Sequence, residues 1–431
     1  MKKIVLASII SAALTGTAQA NAFADKIDHI LENHQLAKMV RADTDTARYQ
    51  LGIENAAKMP TLSLRAGTGT HEIDRDTGIS GNFAPSSASI SLNHTLYDFG
   101  QRKSRINAAQ AILQKEEVET SVQLQNLMLA AVEAQLNLLK AQVKLDAALS
   151  AERNIRRQAN AESQRVNSGA GYASDLLQIT AQLASAEAER LAAQGELEQA
   201  KYRYEAVFVT DSVNMDEMVT LKAPASHLPD SLEAVEALVL EQNPDLMAAH
   251  ARAGVASREY DAARLKELMP RIDLSLSSSY FDELDGAEGE RRDTKAEISI
   301  AWDYSLGQKA DRVVSAARSA STSAAEKADY VKVQALEEAR NAWKNYETAN
   351  KRVATLNKQV RIARSYLSTV KQERDLNRRT LPDVIAAETQ LTAARSNAAQ
   401  AGVESVLSAY RLLRATGKLE RELFDDASIY Q

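Results

Sequence analysis

The chain has 431 residues, a net charge of −6 at pH 7 and no cysteine. The lack of cysteine excludes disulfides and thiolate metal ligands, and the mild acidity gives no reason to expect nucleic-acid binding. Aromatic residues make up only 5% of the chain and prolines number seven. Ala, Leu, Gln, Glu, Arg and Lys dominate instead, which favours closely packed long helices over a thick globular core.

The first 20 residues have the features of an export signal. Two lysines precede an apolar run over residues 4–13 that is too short to span a bilayer, and Ala18-Gln19-Ala20 forms an A-x-A cleavage site. We therefore expect a signal peptide over residues 1–20, with no later membrane-spanning helix and no lipidated cysteine. Such a protein is periplasmic, secreted or inserted in the outer membrane as a β-barrel.

The rest of the chain contains an internal repeat. Asp175 recurs as Asp383, and Tyr202 as Tyr410, both at an offset of 208 residues. Solenoid units run to roughly 20–50 residues, so this period indicates a duplicated subdomain instead. The predicted parts are a first repeat at 21–208, an irregular equatorial connection at 209–230, a second repeat at 231–418 and a short C-terminal segment at 419–431.

Each repeat contains one very long helical stretch. From Gln101 to Asn167 no proline or glycine interrupts the sequence, which predicts roughly 100 Å of helix. The other helical stretches are expected at 25–58, 174–207, 231–268, 308–376 and 383–417. Apolar residues recur at mixed three- and four-residue steps, as in helices packed on neighbours. The helical patterns alone are also compatible with an ordinary coiled coil.

Four short segments alternate between polar and mostly apolar residues, which predicts β-strands. They are expected near 61–71, 87–98, 271–281 and 295–305. Each has about the 9–11 residues of a tilted membrane strand, although a soluble sheet also alternates. Four strands cannot close a membrane barrel, because the smallest have about eight, and open edges are not tolerated in lipid. Either the chain oligomerises or its strands lie outside a membrane.

Enzymatic chemistry has little support in the sequence. Six histidines are scattered without the spacing of metal ligands. The glycine-containing segments around Gly67 and Gly169 lack the lysine of a phosphate-binding loop. We therefore expect neither an enzyme nor a cofactor or metal site, and the energy for any transport has to come from partner proteins.

Five segments together match a known pattern by their order and twofold recurrence. They are AKMPTLSLRAG, LYDFGQRKSRINAAQA, RVNSGAGYASDLLQITAQLASAE, NPDLMAAHARAGVASREYDAARLKELMPRIDLSLS and RRTLPDVIAAETQLTAARSNAA. The layout resembles the TolC-like outer-membrane efflux and secretion channel family (outer membrane factors) over essentially the whole mature chain. The resemblance implies a mixed α and β fold and a homotrimer. Three chains would contribute four antiparallel strands each to one transmembrane β-barrel, continued by very long helices that form a periplasmic helical barrel.

The resemblance also implies a function, that of the outer-membrane exit duct in a tripartite type I secretion or efflux system. The duct would be a passive conduit in the lipid bilayer of the outer membrane. A periplasmic adaptor protein and an inner-membrane transporter, of the ATP-binding cassette or proton-driven type, would open its periplasmic tip. The alternative from another functional class is a non-channel periplasmic coiled-coil scaffold or adaptor. The sequence does not distinguish protein cargo from small-molecule cargo.

The resemblance places a gate at the two helix-turn tips, near 168–175 and 377–383. By motif position, Ser174 and Asp175 match the hydroxyl and carboxylate of the family's gate, and Arg379 matches its arginine. These groups would hold the mouth closed by charge-assisted hydrogen bonds. For Ser174 and Asp175 the alternative role is helix capping.

A second expectation concerns the charge of the pore. Asp383 matches an aspartate that lines the pore in some relatives, where a threefold ring of carboxylates favours cations. The sequence departs from the pattern nearby, since Ala386 replaces an acidic residue, Arg374 a tyrosine and Asn377 a glycine. The tip is therefore more basic, unless its arginines are only solvated surface. The tip turns are expected at Gly169, Gly171 and Asn377.

Overall fold

A computed structural model of the chain describes residues 22–73, 81–215, 218–283, 289–303, 307–376 and 378–430. The predicted signal peptide and the predicted turn residue Asn377 lie outside these ranges. Among the described helices, none combines the length and the apolar character that crossing a membrane requires.

The described ranges contain eight α-helices and six β-strands. The helices are α1 (22–33), α2 (Gln35–Ala56), α3 (Gln101–Asn167), α4 (Ala173–Phe208), α5 (Leu232–Gln242), α6 (Pro244–Leu268), α7 (Lys309–Asp375) and α8 (Leu381–Ala415). The strands are β1 (Thr61–Thr68), β2 (His71–Ile73), β3 (Gly81–Phe83), β4 (Ser86–Tyr97), β5 (Arg271–Asp282) and β6 (Glu290–Ala301). The longest helices, α3 and α7, have 67 residues each, about 100 Å at 1.5 Å per residue.

The chain divides into two compact units that do not follow the predicted repeats. The first, which we call the helical unit, contains Met1–Val40, Thr120–Met247 and Val331–Gln431. The second, the sheet unit, contains Arg41–Glu119 and Ala248–Tyr330. Each unit takes residues from both repeats, because α3 and α7 both extend from one unit into the other.

The sheet unit contains an antiparallel sheet in the order β1-β4-β5-β6, and β2 pairs separately with β3. The register separates two faces. Leu62, Leu92 and Leu276 form one cross-strand row, whereas Ser63, Ser91, Ser277 and Lys295 form the next. The apolar face is open in the chain, since Leu64 is 72% exposed and Ile298 is 68% exposed. The sheet therefore presents one apolar and one polar surface, as the alternation predicts.

The structure corrects the position of the last strand. The prediction near 295–305 is wrong at both ends, because β6 starts at Glu290 and ends at Ala301. Residues 290–294 are polar, yet they continue the ladder with 278–282 of β5. Backbone hydrogen bonds between strands do not require alternating polar and apolar side chains. The part of a strand that extends beyond the apolar surface therefore shows no alternation in the sequence. For the same reason the sequence did not reveal the short β2–β3 hairpin.

The core of the helical unit brings together segments from opposite ends of the sequence. Phe23 and Ile27 of α1 are fully buried, and the Phe23 ring lies 5.8 Å from the ring of Phe424. Leu221 forms a β-bridge with Tyr430, whose hydroxyl donates to the Phe424 carbonyl at 2.6 Å. The irregular segments around α5 and after α8 are therefore packed parts of this core.

The end of α8 docks closely on the junction between α5 and α6. The side-chain amide of Asn243 donates to the Ala415 carbonyl at 2.7 Å, and the Arg414 guanidinium forms a bidentate pair with Asp245. Gly417 has a positive φ of 76°, and a Cβ added there would lie 2.1 Å from the Gln242 carbonyl oxygen. Only glycine meets both the backbone conformation and the close approach.

We expect Gly417→Ala to lower the stability of the helical unit strongly. The left-handed backbone alone costs roughly 1–2 kcal/mol for a residue with a Cβ, and the contact with Gln242 adds to it. The matched control is Gly402→Ala within α8, where an added Cβ meets nothing within 4 Å and helix propensity gains up to about 1 kcal/mol. Thermal unfolding followed by circular dichroism should show a lower midpoint for the first variant only. Equal midpoints would contradict the docking role of Gly417.

Candidate functional site

The tip of the first helix hairpin depends on two glycines for different reasons. Gly169 follows α3 with a φ of 76°, and the N–H of the next residue, Ala170, donates to the Arg165 carbonyl at 2.8 Å. Gly171 stands close to the helix end, because an added Cβ would lie 2.9 Å from a Glu162 carboxylate oxygen and 3.0 Å from the Val166 nitrogen. The turn is therefore tight, and it fixes where α4 begins.

Ser174 and Asp175 lie exposed in the first turn of α4. The cap position of this helix is Tyr172, which makes no side-chain capping bond. The Ser174 hydroxyl lies 3.4 Å from the Asp175 carboxylate, at the long end of hydrogen-bond distances. Within the chain, neither residue caps the helix, so both polar groups are available for contacts at the tip.

Asp383 caps the start of α8. Its carboxylate accepts hydrogen bonds from the Thr380 backbone N–H at 2.9 Å and from the Thr380 hydroxyl at 2.8 Å. These two bonds lower the pKa of Asp383, burial opposes them, and the charge of Arg379 lowers it further. The carboxylate predicted to line the pore thus has a structural role within its own helix.

Arg379 pairs inside its own hairpin. Its guanidinium donates to the Glu373 carboxylate at 2.7 Å across the turn between α7 and α8, and this hydrogen bond raises the pKa of Arg379 above its ordinary value. The described residues include no ion pair between Arg379 and Asp175. The contact predicted for the closed gate is therefore not formed within one chain.

The two tips nevertheless share one groove. It has a volume of about 1360 Å³, and Asp175, Arg374, Arg379 and Ala386 all line it. The groove has an apolar base, because Ile155, Ala159, Ile179 and Ile385 form a buried cluster from α3, α4 and α8. Asp175 and Arg379 thus line the same groove, but they form no ion pair with each other in the described chain. The sequence analysis did not predict this apolar cluster.

A network of charges around the buried Glu152 connects the two helices of the first hairpin. Glu152 of α3 pairs with Arg190 of α4 at 2.6 Å and with Arg156 at 2.6 Å, and Arg156 also reaches Glu187 at 2.8 Å. The hydrogen bond from Arg156 is the largest cause of a lowered pKa at Glu152. Glu152 is only 9% exposed, so removing a partner would leave a poorly solvated charge.

The second hairpin lacks this network. At the repeat offset of 208 residues, Glu152 corresponds to Val360 and Arg190 to Ala398. Its seam contains two apolar clusters, Ala363 with Leu391 and Ala394, and Val370 with Val384 and Ala387. One ion pair, Lys371 with Glu388 at 2.8 Å, crosses this seam between the described residues of α7 and α8. The two tips of the chain therefore differ in what holds them together as well as in their turn residues.

Comparison with known proteins agrees with the geometry. The sequence profile of the family described as "Outer membrane efflux protein" matches residues 27–205 and 237–418. The outer membrane efflux protein BepC of Brucella suis is 25% identical over 429 residues, which cover 97% of this chain and 91% of BepC. The outer membrane protein TolC of Vibrio cholerae is 24% identical over 437 residues, which cover 99% of this chain and 98% of TolC.

Solved structures show the same fold. The CmeC outer membrane channel of Campylobacter jejuni has a TM-score of 0.79 at 15% identity, and the match covers 93% of this chain and 86% of CmeC. The chain therefore has the fold of outer-membrane channel proteins.

The chain belongs to the outer membrane efflux protein family. The resemblance inferred from the sequence is confirmed, and so is the expected location in the outer membrane. Proteins of this family are channels and not enzymes. The alternative of a non-channel scaffold therefore loses its support.

The two first-turn aspartates allow a test of capping. We expect Asp383→Ala to speed hydrogen exchange of the amides at the start of α8, because replacing a capping residue by alanine costs about 0.5–2 kcal/mol. The lowered pKa means that the cap is complete above the ordinary carboxyl pKa and is lost as pH falls through the lowered value. Asp175→Ala is the control, and exchange at the start of α4 should change much less, because Asp175 accepts no capping hydrogen bond. Equal effects in both helices would contradict the assignment.

Proposed function

We propose that the protein is the trimeric exit duct of a tripartite efflux or type I secretion system. In this proposal three copies close a β-barrel in the outer membrane, and an adaptor and an inner-membrane transporter engage the periplasmic helix tips. The duct is a passive conduit, and its partners supply the energy.

The unpaired edges of the sheet are the observation that carries the proposal. Within the described chain, β1 pairs only with β4 and β6 only with β5, so each outer strand has one free row of backbone groups. Unpaired backbone groups are not tolerated in lipid, and the apolar side chains of this sheet are open to it. Pairing of β6 with β1 of a neighbouring copy satisfies both edges and closes a ring.

The tips are the proposed gate. Arg379 has two candidate partners: Glu373 in its own hairpin, which it contacts in the single chain, and Asp175, which lines the same groove and is also present on a neighbouring copy. In the closed trimer Arg379 binds Asp175 and Ser174 by charge-assisted hydrogen bonds. Opening returns the guanidinium to Glu373, so the charge has a partner in both states.

We expect Arg379→Ser to raise the single-channel conductance of the purified trimer in planar bilayers, because the closing contact is lost. Arg378→Ser is the matched control. This neighbouring side chain has no ion-pair partner among the described residues, so its conductance should equal that of the wild type. Unchanged conductance in Arg379→Ser would overturn the gate assignment.

A third variant distinguishes the two partners of Arg379. Glu373→Gln removes the carboxylate inside the hairpin and leaves Arg379 for Asp175. We expect its conductance to stay at or below the wild-type level. If Glu373→Gln opens the channel as much as Arg379→Ser does, the contact that keeps the mouth closed is the pair inside the hairpin.

Cargo is tested in the cell. Deleting the gene should raise sensitivity to small toxic molecules if the duct serves efflux, and should remove proteins from the culture medium if it serves secretion. Complementation with the wild-type gene is the control. A deletion strain that changes in neither respect would contradict the proposal.

A further inference from the structure

A small basic cleft lies in the sheet unit, where α3 begins beside the last turns of α6. Its volume is about 320 Å³. Lys103, Arg258 and Arg264 line it with the carboxylate of Asp261 and the amide of Asn107. The cleft is distant in sequence from the helix tips, and the proposed gate makes no use of it.

The charges of this cleft are not balanced. Arg258 and Asp261 form a long ion pair of 3.7 Å, whereas in the described part of the chain neither Lys103 nor Arg264 has a carboxylate within ion-pair distance. Nearby basic residues do have partners, since Arg102 pairs with Asp98 at 2.7 Å. The cleft therefore carries about two uncompensated positive charges in a chain whose net charge is −6.

The matching start of α7 does not repeat this feature. At this junction the repeat offset is 207 residues, because Gly100-Gln101 recurs as Gly307-Gln308, and Lys103 corresponds to the uncharged Ala310. The shared scaffold of the two repeats therefore does not explain the basic cleft.

The cleft lies next to the end of the apolar sheet surface. The last cross-strand row consists of Tyr97, Ile272 and Ile300. Tyr97 is 57% exposed and Trp302 is 61% exposed, and exposed aromatic residues at the ends of membrane strands mark the level of lipid headgroups. The Gln101 side chain donates to the Met269 carbonyl at 2.8 Å, which fixes the start of α3 against the start of β5. Lys103 follows within the first helical turn.

We propose that this cleft binds the phosphate group of an anionic phospholipid. The proposal rests on the proposed function, which puts the apolar sheet surface in the membrane. Lysine and arginine donate charge-assisted hydrogen bonds to phosphate oxygens, and the acyl chains extend along the apolar surface. Asp261 accepts a hydrogen bond from a headgroup hydroxyl, which favours a glycerol headgroup. A zwitterionic lipid carries its own cation beside the phosphate, and the positive cleft repels it.

The test measures lipid binding to the full-length trimer by native mass spectrometry. The probes are phosphatidylglycerol, phosphatidylcholine and inorganic phosphate at equal concentrations. We expect phosphatidylglycerol to bind best. The double variant Lys103→Gln and Arg264→Gln should weaken its binding roughly thirty-fold, because each basic residue near an anionic lipid contributes about a factor of five. Lys103→Arg with Arg264→Lys keeps both charges and should keep most of the binding.

The matched control removes the same two charge types elsewhere. Lys358→Gln with Arg361→Gln changes two exposed residues of α7 in the helical unit, and its lipid binding should equal that of the wild type. If the cleft and control variants lose binding equally, or if phosphatidylcholine binds as well as phosphatidylglycerol, the lipid site is refuted. Binding of inorganic phosphate as tightly as of the lipid overturns the lipid assignment in the same way.

Channel conductance separates this inference from the proposed function. If the wild-type trimer conducts in planar bilayers but shows no preference for phosphatidylglycerol, only the lipid site fails. If the protein forms no conducting trimer, the proposed function fails as well.

Discussion

The constraint on which the structure depends is the pairing of backbone groups along β1 and β6. A strand edge in lipid has no water to satisfy its N–H and C=O groups, and four strands cannot curve far enough to meet each other. The apolar row of Leu62, Leu92 and Leu276 gives the sheet a surface that water does not favour. Both properties direct the chain towards association with copies of itself, and the proposed function follows from that association.

The duplication supplies similar scaffolds that hold together by different means. In the first hairpin Glu152 lies between Arg156 and Arg190, a buried charge that tolerates little displacement of its partners. In the second, apolar residues form two buried clusters along the α7–α8 seam, and Lys371 pairs with Glu388 across it. The first hairpin therefore depends more on a network of charges, and the second more on apolar packing.

Much of the fold could be predicted from the sequence, because its signals are local. Uninterrupted runs of helix-forming residues predict α3 and α7. The alternation of polar and apolar residues predicts the part of the sheet that has one apolar face. Alternation failed at Glu290, where backbone pairing continues among polar residues. At the tips, Thr380 and Asp383 have the spacing of a capping box. This spacing predicts a capping role for Asp383, whereas the sequence analysis places Asp383 in the pore. The pair between Glu373 and Arg379 and the contact of Ile385 with the first hairpin depend on tertiary geometry, which no spacing encodes.

The core of the helical unit has a consequence for the order in which the protein is built. Asp28 and Arg421, which form a bidentate ion pair, are separated by 393 positions, and Phe23 packs on Phe424 and Tyr430. The first helix to leave the export machinery thus has its partners at the far end of the chain. Until those residues arrive, Phe23, Ile27 and Ile30 form an exposed apolar helix face that chaperones in the periplasm can bind. The core of the helical unit is therefore complete only when segments from both ends of the sequence are in place, however early the long helices form.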